Sequence, residues 1–190
     1  MSGDGRGGPG PANLSSRAGG TRVTIAMGSN LGPRLEHLQG GLDALFDAPG
    51  LTLAAVSPVY QTAPVGGPQQ PDYLNAVFIA TTTLPAHAVL ERCHGVEAVF
   101  GRVREETWGP RTLDLDIIAY GDVVSDDPEL TLPHPRAHER AFVLAPWNDI
   151  DPDAEIPGWG QVSDLLAKVG SADIQRLDDA VLHQPTRAPW

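Results

Sequence analysis

Residues 108–118, WGPRTLDLDII, place two aspartates inside an otherwise apolar strand pattern. Side chains alternate between the two faces of a strand, so Asp114 and Asp116 are expected on one face and the aliphatic residues that alternate with them on the other. Two carboxylates about 7 Å apart repel each other, and removal from water raises the cost of keeping both ionised. A divalent cation offsets that repulsion, and oxygen ligands without a neighbouring Cys or His favour Mg²⁺ or Mn²⁺. A polar strand face in water is the alternative that this pattern leaves open.

The composition restricts the kinds of protein that this chain can be. Its 190 residues predict one domain with a sizeable core, and a net charge of −11 argues against nonspecific nucleic-acid binding. Lys168 is the only lysine, so a Walker-type phosphate loop, which needs a lysine after its glycines, is excluded. Phosphate chemistry would therefore depend on arginine and metal. Cys93 is the only cysteine; it can form no intrachain disulfide, and we expect it in the core.

Residues 1–20 are rich in glycine and contain no apolar block, which predicts a disordered leader before a single domain at residues 21–190. The leader lacks the apolar core of a signal peptide, and no run in the sequence is long enough to span a bilayer. We therefore expect a cytoplasmic monomer whose partners are small molecules, with neither nucleic acid nor membrane among them.

The order of apolar patterns predicts an α+β fold. The pattern indicates strands at 22–27, 51–61, 73–82 and 111–120, and helices at 35–46 and 85–100. Pro58 should mark an edge or a bulge in the second strand, and residues 62–71 should form a loop longer than a hairpin needs. Strand, helix, strand, strand, helix, strand is the ferredoxin-like βαββαβ order, an antiparallel sheet with both helices on one face. The remaining residues would be C-terminal additions around this core.

A polar loop before the aspartates is a candidate for phosphate binding. Arg102, Arg104 and Arg111 flank it, and Trp108 lies within it. Guanidinium groups beside a metal-binding strand suit phosphoryl transfer, in which catalysis is mainly positioning and charge neutralisation. The alternatives are a solvated charge run for the arginines and insertion into the core for the indole. Glu97, near the apolar stripe of its helix, would pair with an arginine.

Five further residues could contact a flat anionic ligand. His134 is held between two prolines and could donate to a phosphate oxygen, and Arg140 and Phe142 follow it closely. Tyr73 and Asn75 share a strand face, where an aromatic ring beside an amide could read a planar heterocycle. A structural histidine, helix packing and an ordinary surface pair are the alternatives for these three groups.

Taken together, several segments resemble the 6-hydroxymethyl-7,8-dihydropterin pyrophosphokinase family of folate biosynthesis. The matching segments, in family order, are GSNLG at 28–32, SPVYQT at 57–62, QPDYLNA at 70–76, WGPRTLDLDI at 108–117, and Pro133-His134 with Arg140 and Phe142. The resemblance implies a ferredoxin-like fold and transfer of pyrophosphate from ATP to the pterin hydroxymethyl group, with release of AMP. Attack at the β-phosphorus follows from this resemblance alone. The chain departs from the family pattern in a shorter loop that carries Glu105 and Glu106.

The resemblance also implies a role for each matched residue. Asp114 and Asp116 would hold two Mg²⁺ ions against the ATP phosphates. Arg102 and Arg111 would stabilise charge on the transferred group while Trp108 closes over the site. The pterin would contact Thr62, Val65, Tyr73, Asn75 and Phe142. The nucleotide would contact Glu97, Arg104, Ile117, Thr131, His134 and Arg140.

Two other functions remain open from the residues alone. A D-x-D glycosyltransferase would use a sugar nucleotide, but it predicts a larger nucleotide-binding domain than 190 residues allow. A noncatalytic ferredoxin-like ligand-binding module would explain the fold. It gives no reason for paired aspartates beside Arg102, Arg111 and Trp108.

Overall fold

The computed structural model describes residues 20–64, 69–101 and 112–185 of the chain. The elements within these ranges are β1 (Thr21–Ser29), α1 (Arg34–Leu45), β2 (Leu51–Val56), β3 (Val59–Thr62), β4 (Tyr73–Thr82), α2 (Ala86–Val99), β5 (Asp114–Tyr120), β6 (Ser125–Asp127), β7 (Leu130–Leu132), α3 (Ala141–Ile150), β8 (Glu155–Ile156), β9 (Gly160–Gln161), α4 (Val162–Val169) and β10 (Ile174–Leu177), with a 3-10 turn at Ala137–Glu139 before α3.

One antiparallel sheet organises the molecule. Its strands lie in the order β10-β3-β4-β1-β5, and β2 also pairs with β4. β1 lies between β4 and β5, so that Gly28 is opposite Asn75 of β4 on one side and opposite Asp114 of β5 on the other. The predicted α+β, ferredoxin-like class is confirmed.

The strand predicted at 51–61 is wrong in one respect, because it is two strands. The chain breaks at Ser57 and Pro58, and both parts, β2 and β3, pair with β4. Pro58 has no N–H to offer the sheet. Ser57 pairs with Val77 through both main chain and side chain: the Ser57 main-chain N–H donates to the Val77 oxygen at 2.9 Å, and the Ser57 hydroxyl accepts the Val77 N–H at 2.8 Å. A side chain thus completes the ladder where the strand bends.

Each face of the sheet carries its own apolar core. One core joins the sheet to α1 and α2 and contains Ile25, Leu42, Phe78, Cys93 and Leu115. The other joins it to α3 and α4 and contains Val77, Ile79, Ile118, Leu144 and Trp147. The two predicted helices therefore share one face, and the C-terminal additions cover the second.

Two adjacent glycines let α1 approach its neighbours closely. A Cβ on Gly41 would lie 2.7 Å from a methyl carbon of Leu113, and one on Gly40 would lie 2.7 Å from the ring of Phe100. Glycine costs about 1 kcal/mol relative to alanine within a helix. Here the missing side chains allow the helix to pack against Leu113, which directly precedes β5, and against Phe100 at the end of α2.

The predicted leader falls almost entirely on residues that the structure does not describe. Residues 1–19, which hold nearly all of the predicted disordered leader, lie outside the described residues, and the leader stays a prediction. In the described part of the chain, no helix is long and apolar enough to cross a membrane.

Candidate active site

A cleft of about 570 Å³ opens where β1, β4 and β5 meet the beginning of α3. The residues that line it are Ala26, Met27, Gly28, Thr62, Ala63, Gln70, Tyr73, Asn75, Asp114, Asp116, His134, Arg136, Glu139, Arg140, Phe142 and Val143. Eight of the predicted site residues are among them, although they come from distant parts of the sequence. The cleft is therefore the candidate active site.

The two aspartates of β5 face this cleft together. Asp114 and Asp116 line it, whereas Leu115 and Ile117, which alternate with them, are buried in the opposite core. Gly28 of β1 lies opposite Asp114, and because it has no side chain its main chain forms the floor of the cleft there. The predicted alternation of the strand is confirmed. Two carboxylates thus reach one side of the cleft, within the space where a ligand would lie.

Glu97 supports this strand from behind. It lies on α2 with only 1% of its surface exposed, and its carboxylate accepts the Leu115 N–H at 3.2 Å. Leu115 stands between the two aspartates, at the edge of the sheet. Glu97 therefore holds the main chain that carries the carboxylates, and it is not among the residues that line the cleft.

An aromatic and amide wall lies across the cleft. Asn75 is 6% exposed and donates its amide hydrogen to the Thr62 hydroxyl at 2.9 Å. Thr62 thereby takes one amide hydrogen, and the amide oxygen lies toward Gly28. A Cβ on Gly28 would sit 3.4 Å from both that oxygen and the Tyr73 ring. Tyr73, Asn75 and Gly28 thus define a slot, and Phe142 of α3 lines the same cleft.

His134 is held by two hydrogen bonds, and its surroundings favour the neutral ring. The main-chain N–H of His134 donates to the main-chain oxygen of Ile118 at 2.8 Å, which ties this residue to β5. Its Nδ1 accepts the Arg136 N–H at 3.2 Å, so the ring proton belongs on Nε2. Burial, and then the charges of Arg140 and Arg136, lower the pKa of His134 to about 4 against the opposing effect of Asp114. The ring is therefore a neutral hydrogen-bond donor at pH 7.

Guanidinium groups complete this side of the cleft. The Arg140 guanidinium carbon lies 5.5 Å from the centre of the Phe142 ring. Arg136 pairs with Glu139, Nε to Oε1, at 3.4 Å, and both residues line the cleft. Neither member of this pair was predicted from the sequence. Their spacing of three residues beside His134 is a weak signal, because charged runs of this kind are usually solvated surface.

The loop before β4 is held by a second set of contacts that the sequence did not predict. Asn30 is fully buried, and its amide donates to the Gln70 side chain at 2.8 Å and to the Pro71 oxygen at 3.1 Å. Arg34 donates to the Asp72 oxygen at 2.8 Å. Because Gln70 lines the cleft, Asn30 sets the position of a cleft residue that is 40 positions away in the sequence.

Other predicted site residues lie elsewhere. Ile117 is 5% exposed within the core that faces α1 and α2, so only its main chain could reach a nucleotide. Thr131 lies on β7 and donates to the Asp127 oxygen at 3.0 Å. The remaining predicted residues lie outside the described residues: Val65, Arg102, Arg104, Trp108 and Arg111.

The described residues on either side of the arginine-bearing segment meet each other. The Thr112 hydroxyl donates to the Phe100 oxygen at 2.6 Å. The ring of Phe100 makes an edge contact with His37 of α1, with ring centres 5.9 Å apart. Phe100 and Thr112, one on each side of that segment, are therefore held together close to β5.

Comparisons with known proteins agree with one another. The family model of 7,8-dihydro-6-hydroxymethylpterin-pyrophosphokinase (HPPK) matches residues 24–152. The 2-amino-4-hydroxy-6-hydroxymethyldihydropteridine pyrophosphokinase of Methylorubrum extorquens is 41% identical over 158 residues, which cover 83% of this chain and 99% of that protein. Its counterpart in Pseudomonas aeruginosa is 42% identical and covers 84% and 98%. That of Mycobacterium leprae is 46% identical and covers 78% and 83%.

Solved structures resemble the fold. The wild-type HPPK-DHPS of Plasmodium falciparum with STZ-DHP superposes with a TM-score of 0.66 at 12% identity. The match covers 86% of this chain and 48% of that one, so this chain spans about half the length of that structural relative. An HPPK-DHPS in complex with substrates gives a TM-score of 0.65 at 9% identity, over 83% of this chain and 46% of that one. At these identities the likeness shows the fold alone.

Proposed function

This chain belongs to the 7,8-dihydro-6-hydroxymethylpterin-pyrophosphokinase family, and we propose that its cleft between β1, β4, β5 and α3 is where the reaction takes place. The activity of that family in folate biosynthesis is ATP-dependent transfer of pyrophosphate to 6-hydroxymethyl-7,8-dihydropterin, and the chain is an enzyme of this kind. One observation carries the placement: the paired carboxylates and the aromatic and amide wall line the same cavity.

The slot formed by Tyr73, Asn75 and Gly28 suits a flat heterocycle. A bicyclic pterin would lie between the rings of Tyr73 and Phe142, where aromatic stacking gives about 0.5–1.5 kcal/mol beyond burial. Asn75 would accept from the ring edge through its amide oxygen, because Thr62 already takes an amide hydrogen. Thr62 and Val65 would add contacts from the loop after β3.

The donor set of the cleft fits magnesium. Asp114 and Asp116 supply hard carboxylate oxygens on one strand face, and the described residues contain no cluster of three or more His, Cys, Asp or Glu side chains that could hold a metal ion. Two carboxylates suit Mg²⁺, which protein sites usually hold through one or two carboxylates together with substrate phosphates. We propose that the two residues hold two Mg²⁺ ions, which would neutralise phosphate charge when bound.

The side of the cleft that carries His134 and Arg140 suits the nucleotide. His134 offers its Nε2–H as a neutral donor, and Arg140 offers charge beside it. Glu97 would act on the nucleotide side by holding β5 in place, and Ile117 and Thr131 would contribute through the strands that they occupy. By resemblance to the family, four further residues would contact the nucleotide or the transferred group: Arg102, Arg104, Trp108 and Arg111.

The reaction joins the pterin oxygen to the β-phosphorus and breaks the bond from that phosphorus to the α-phosphate oxygen. AMP leaves with the electron pair of this bond, and the hydroxymethyl proton passes to solvent. Such transfers have loose transition states that need little help from a base. The chain's contribution is therefore to align pterin and triphosphate in the cleft and to stabilise charge on the phosphate oxygens.

A nucleotide assay tests this proposal directly. The full chain is incubated with ATP, magnesium and 6-hydroxymethyl-7,8-dihydropterin, and the nucleotides are separated and quantified. One AMP is expected for each pterin consumed, with no AMP when the pterin is left out or a chelator is added. ADP as the product, or AMP formed at the same rate without the pterin, would contradict the proposal.

A further inference from the structure

Arg136 and Glu139 form an ion pair at the cleft that none of the roles above uses. Their side chains are 51% and 55% exposed, the Nε–Oε1 distance is 3.4 Å, and both residues line the cavity. An exposed ion pair of this kind contributes little to the stability of the fold. Exchanging it for a stronger partner therefore costs little.

Arg136 and Arg140 both contribute to the positive electrostatic potential in this part of the cleft. The charges of Arg140 and Arg136 both lower the pKa of His134, while Asp114 acts on it in the opposite direction. The main-chain N–H of Arg136 also donates to the His134 ring. Arg136 thus stands beside the neutral donor, within electrostatic reach of the place where phosphate would lie.

The two members of the pair affect a triphosphate in opposite ways. A guanidinium presents a planar fork that matches phosphate oxygens, and its hydrogen bonds to them are charge-assisted. A carboxylate at the same rim repels a polyanion and holds that fork away from it. Both anions would share the charge of one guanidinium, so pairing with Glu139 weakens the attraction of Arg136 for phosphate.

We propose that Arg136 is a further binding residue for the ATP triphosphate and that Glu139 competes with the nucleotide for it. The proposal rests on the placement of ATP in this cleft. Before ATP binds, Glu139 neutralises the guanidinium. On binding, Arg136 turns from Glu139 to the phosphates, so the carboxylate reduces the affinity for ATP.

The test measures nucleotide binding by calorimetry, separately from turnover. The full chain and its variants are titrated with MgATP in the absence of pterin, and with AMP. Arg136→Ala is expected to weaken ATP binding about three- to fivefold, the upper part of the range for one partly exposed charge contact. Arg136→Lys should fall between, because lysine keeps the charge without the fork. Glu139→Gln should tighten ATP binding about two- to threefold by removing the competing charge.

Two comparisons separate a phosphate contact from other causes. AMP lacks the β- and γ-phosphates, so Arg136→Ala should change AMP affinity much less than ATP affinity. The loss for ATP should also shrink at high salt, since exposed charge contacts are screened. Arg22→Ala is the control, because Arg22 forms an exposed ion pair with Asp151 and lies six residues along β1 from Gly28, about 20 Å away.

Each outcome decides the proposal. Unchanged ATP affinity in Arg136→Ala, or an equal loss for ATP and AMP, overturns the role of Arg136. Unchanged or weaker ATP binding in Glu139→Gln overturns the competition. Because binding is measured without pterin, these results stand apart from the AMP assay, in which failure of the wild-type chain would count against the proposed function itself.

Discussion

The Tyr60 hydroxyl donates to the Asp149 carboxylate at 2.5 Å and so ties β3 to the last turn of α3. Tyr60 is 8% exposed and lies directly opposite Asn75 on β4 and opposite Arg176 on β10. Arg176 is 3.9 Å from the same carboxylate. A row of side chains thus runs across three strands and ends at Asn75 in the cleft, while α3 carries Phe142 to the other side. Through Tyr60 and α3, Asp149 thus links the Asn75 side of the cleft to the Phe142 side.

Removal of the Tyr60 hydroxyl should loosen this slot. Tyr60→Phe is expected to lower the free energy of unfolding by about 1–2 kcal/mol, because it leaves the Asp149 carboxylate without a buried donor. The KM for the pterin should rise severalfold, with a smaller change in the KM for ATP. Steady-state kinetics and urea denaturation measure the two effects.

Tyr120→Phe is the matched control for this change. The Tyr120 hydroxyl donates to the Leu84 oxygen at 2.6 Å, away from the cleft. Its removal should therefore lower stability without a change in the pterin KM. Equal KM effects in Tyr60→Phe and Tyr120→Phe would contradict the positioning role of Tyr60.

Alkaline pH should act on the same contact. Burial first, and then the hydrogen bond to Asp149, raise the pKa of Tyr60 from 10.0 to about 12. A raised pKa in the folded state means that its stabilising effect is complete below pH 10 and is lost as the pH rises through 12. The stability difference between wild type and Tyr60→Phe should therefore shrink over this window. Denaturation curves at about pH 8 and about pH 11 measure it; a constant difference would show that the hydroxyl is not buried against the carboxylate.

The paired aspartates should be needed for transfer and not for folding. Asp116→Asn removes one carboxylate from the cleft without changing its size, and transfer should fall by about three orders of magnitude or more, as expected when charge stabilisation of the phosphate is lost. The melting temperature should stay the same or rise, because one of two neighbouring anions is gone. AMP release and thermal melting test this, with Asp126→Asn in the β6–β7 hairpin as the control. Near wild-type transfer in Asp116→Asn would exclude its metal-binding role.

The absence of a side chain at Gly28 should leave the space in the slot that a bound ring needs. A Cβ at this position would lie at ordinary contact distance, 3.4 Å, from Tyr73 and Asn75, so Gly28→Ala should bind pterin about as well as the wild type. The branched side chain of valine would extend into the slot, and Gly28→Val should weaken pterin binding about tenfold or more, as overpacking does. Fluorescence titration with the pterin measures both variants, and circular dichroism checks the fold. Equal binding by the two variants would place the ring elsewhere.

Those features of the site that depend on a local pattern could be predicted from the sequence. Alternation along β5 was enough to put Asp114 and Asp116 on one face, and the spacing of Tyr73 and Asn75 worked in the same way on β4. Contacts between distant segments could not be predicted: the carboxylate that supports Leu115 comes from α2, and the donor that holds Gln70 is Asn30, directly after β1. Such contacts depend on how whole elements pack, and no periodicity in the sequence records them.

The charged pair at the cleft was missed for a related reason. Arg136 and Glu139 stand in a short polar run, and such runs face water in most proteins. The hydrogen bond that ties His134 to Ile118 brings that run against β5. The break at Ser57 was missed because a side-chain hydroxyl, which no strand propensity describes, replaces a main-chain partner.

Acidic pH should destabilise the chain through His134. Its pKa is about 4 in the folded protein, against 6.5 for the free side chain, with burial as the largest cause. The unfolded chain therefore binds a proton more readily, and the stabilising effect of the neutral ring is complete above pH 6.5 and is lost as the pH falls through 4. From about pH 7 to about pH 5, wild type should lose about 1 kcal/mol more stability than His134→Gln, a figure reduced for partial solvent exposure. Urea denaturation at both pH values measures the difference. Because burial outweighs the nearby charges, most of it should persist in about 0.5 M salt, roughly three times physiological ionic strength; its disappearance in salt would instead assign the shift to Arg140 and Arg136.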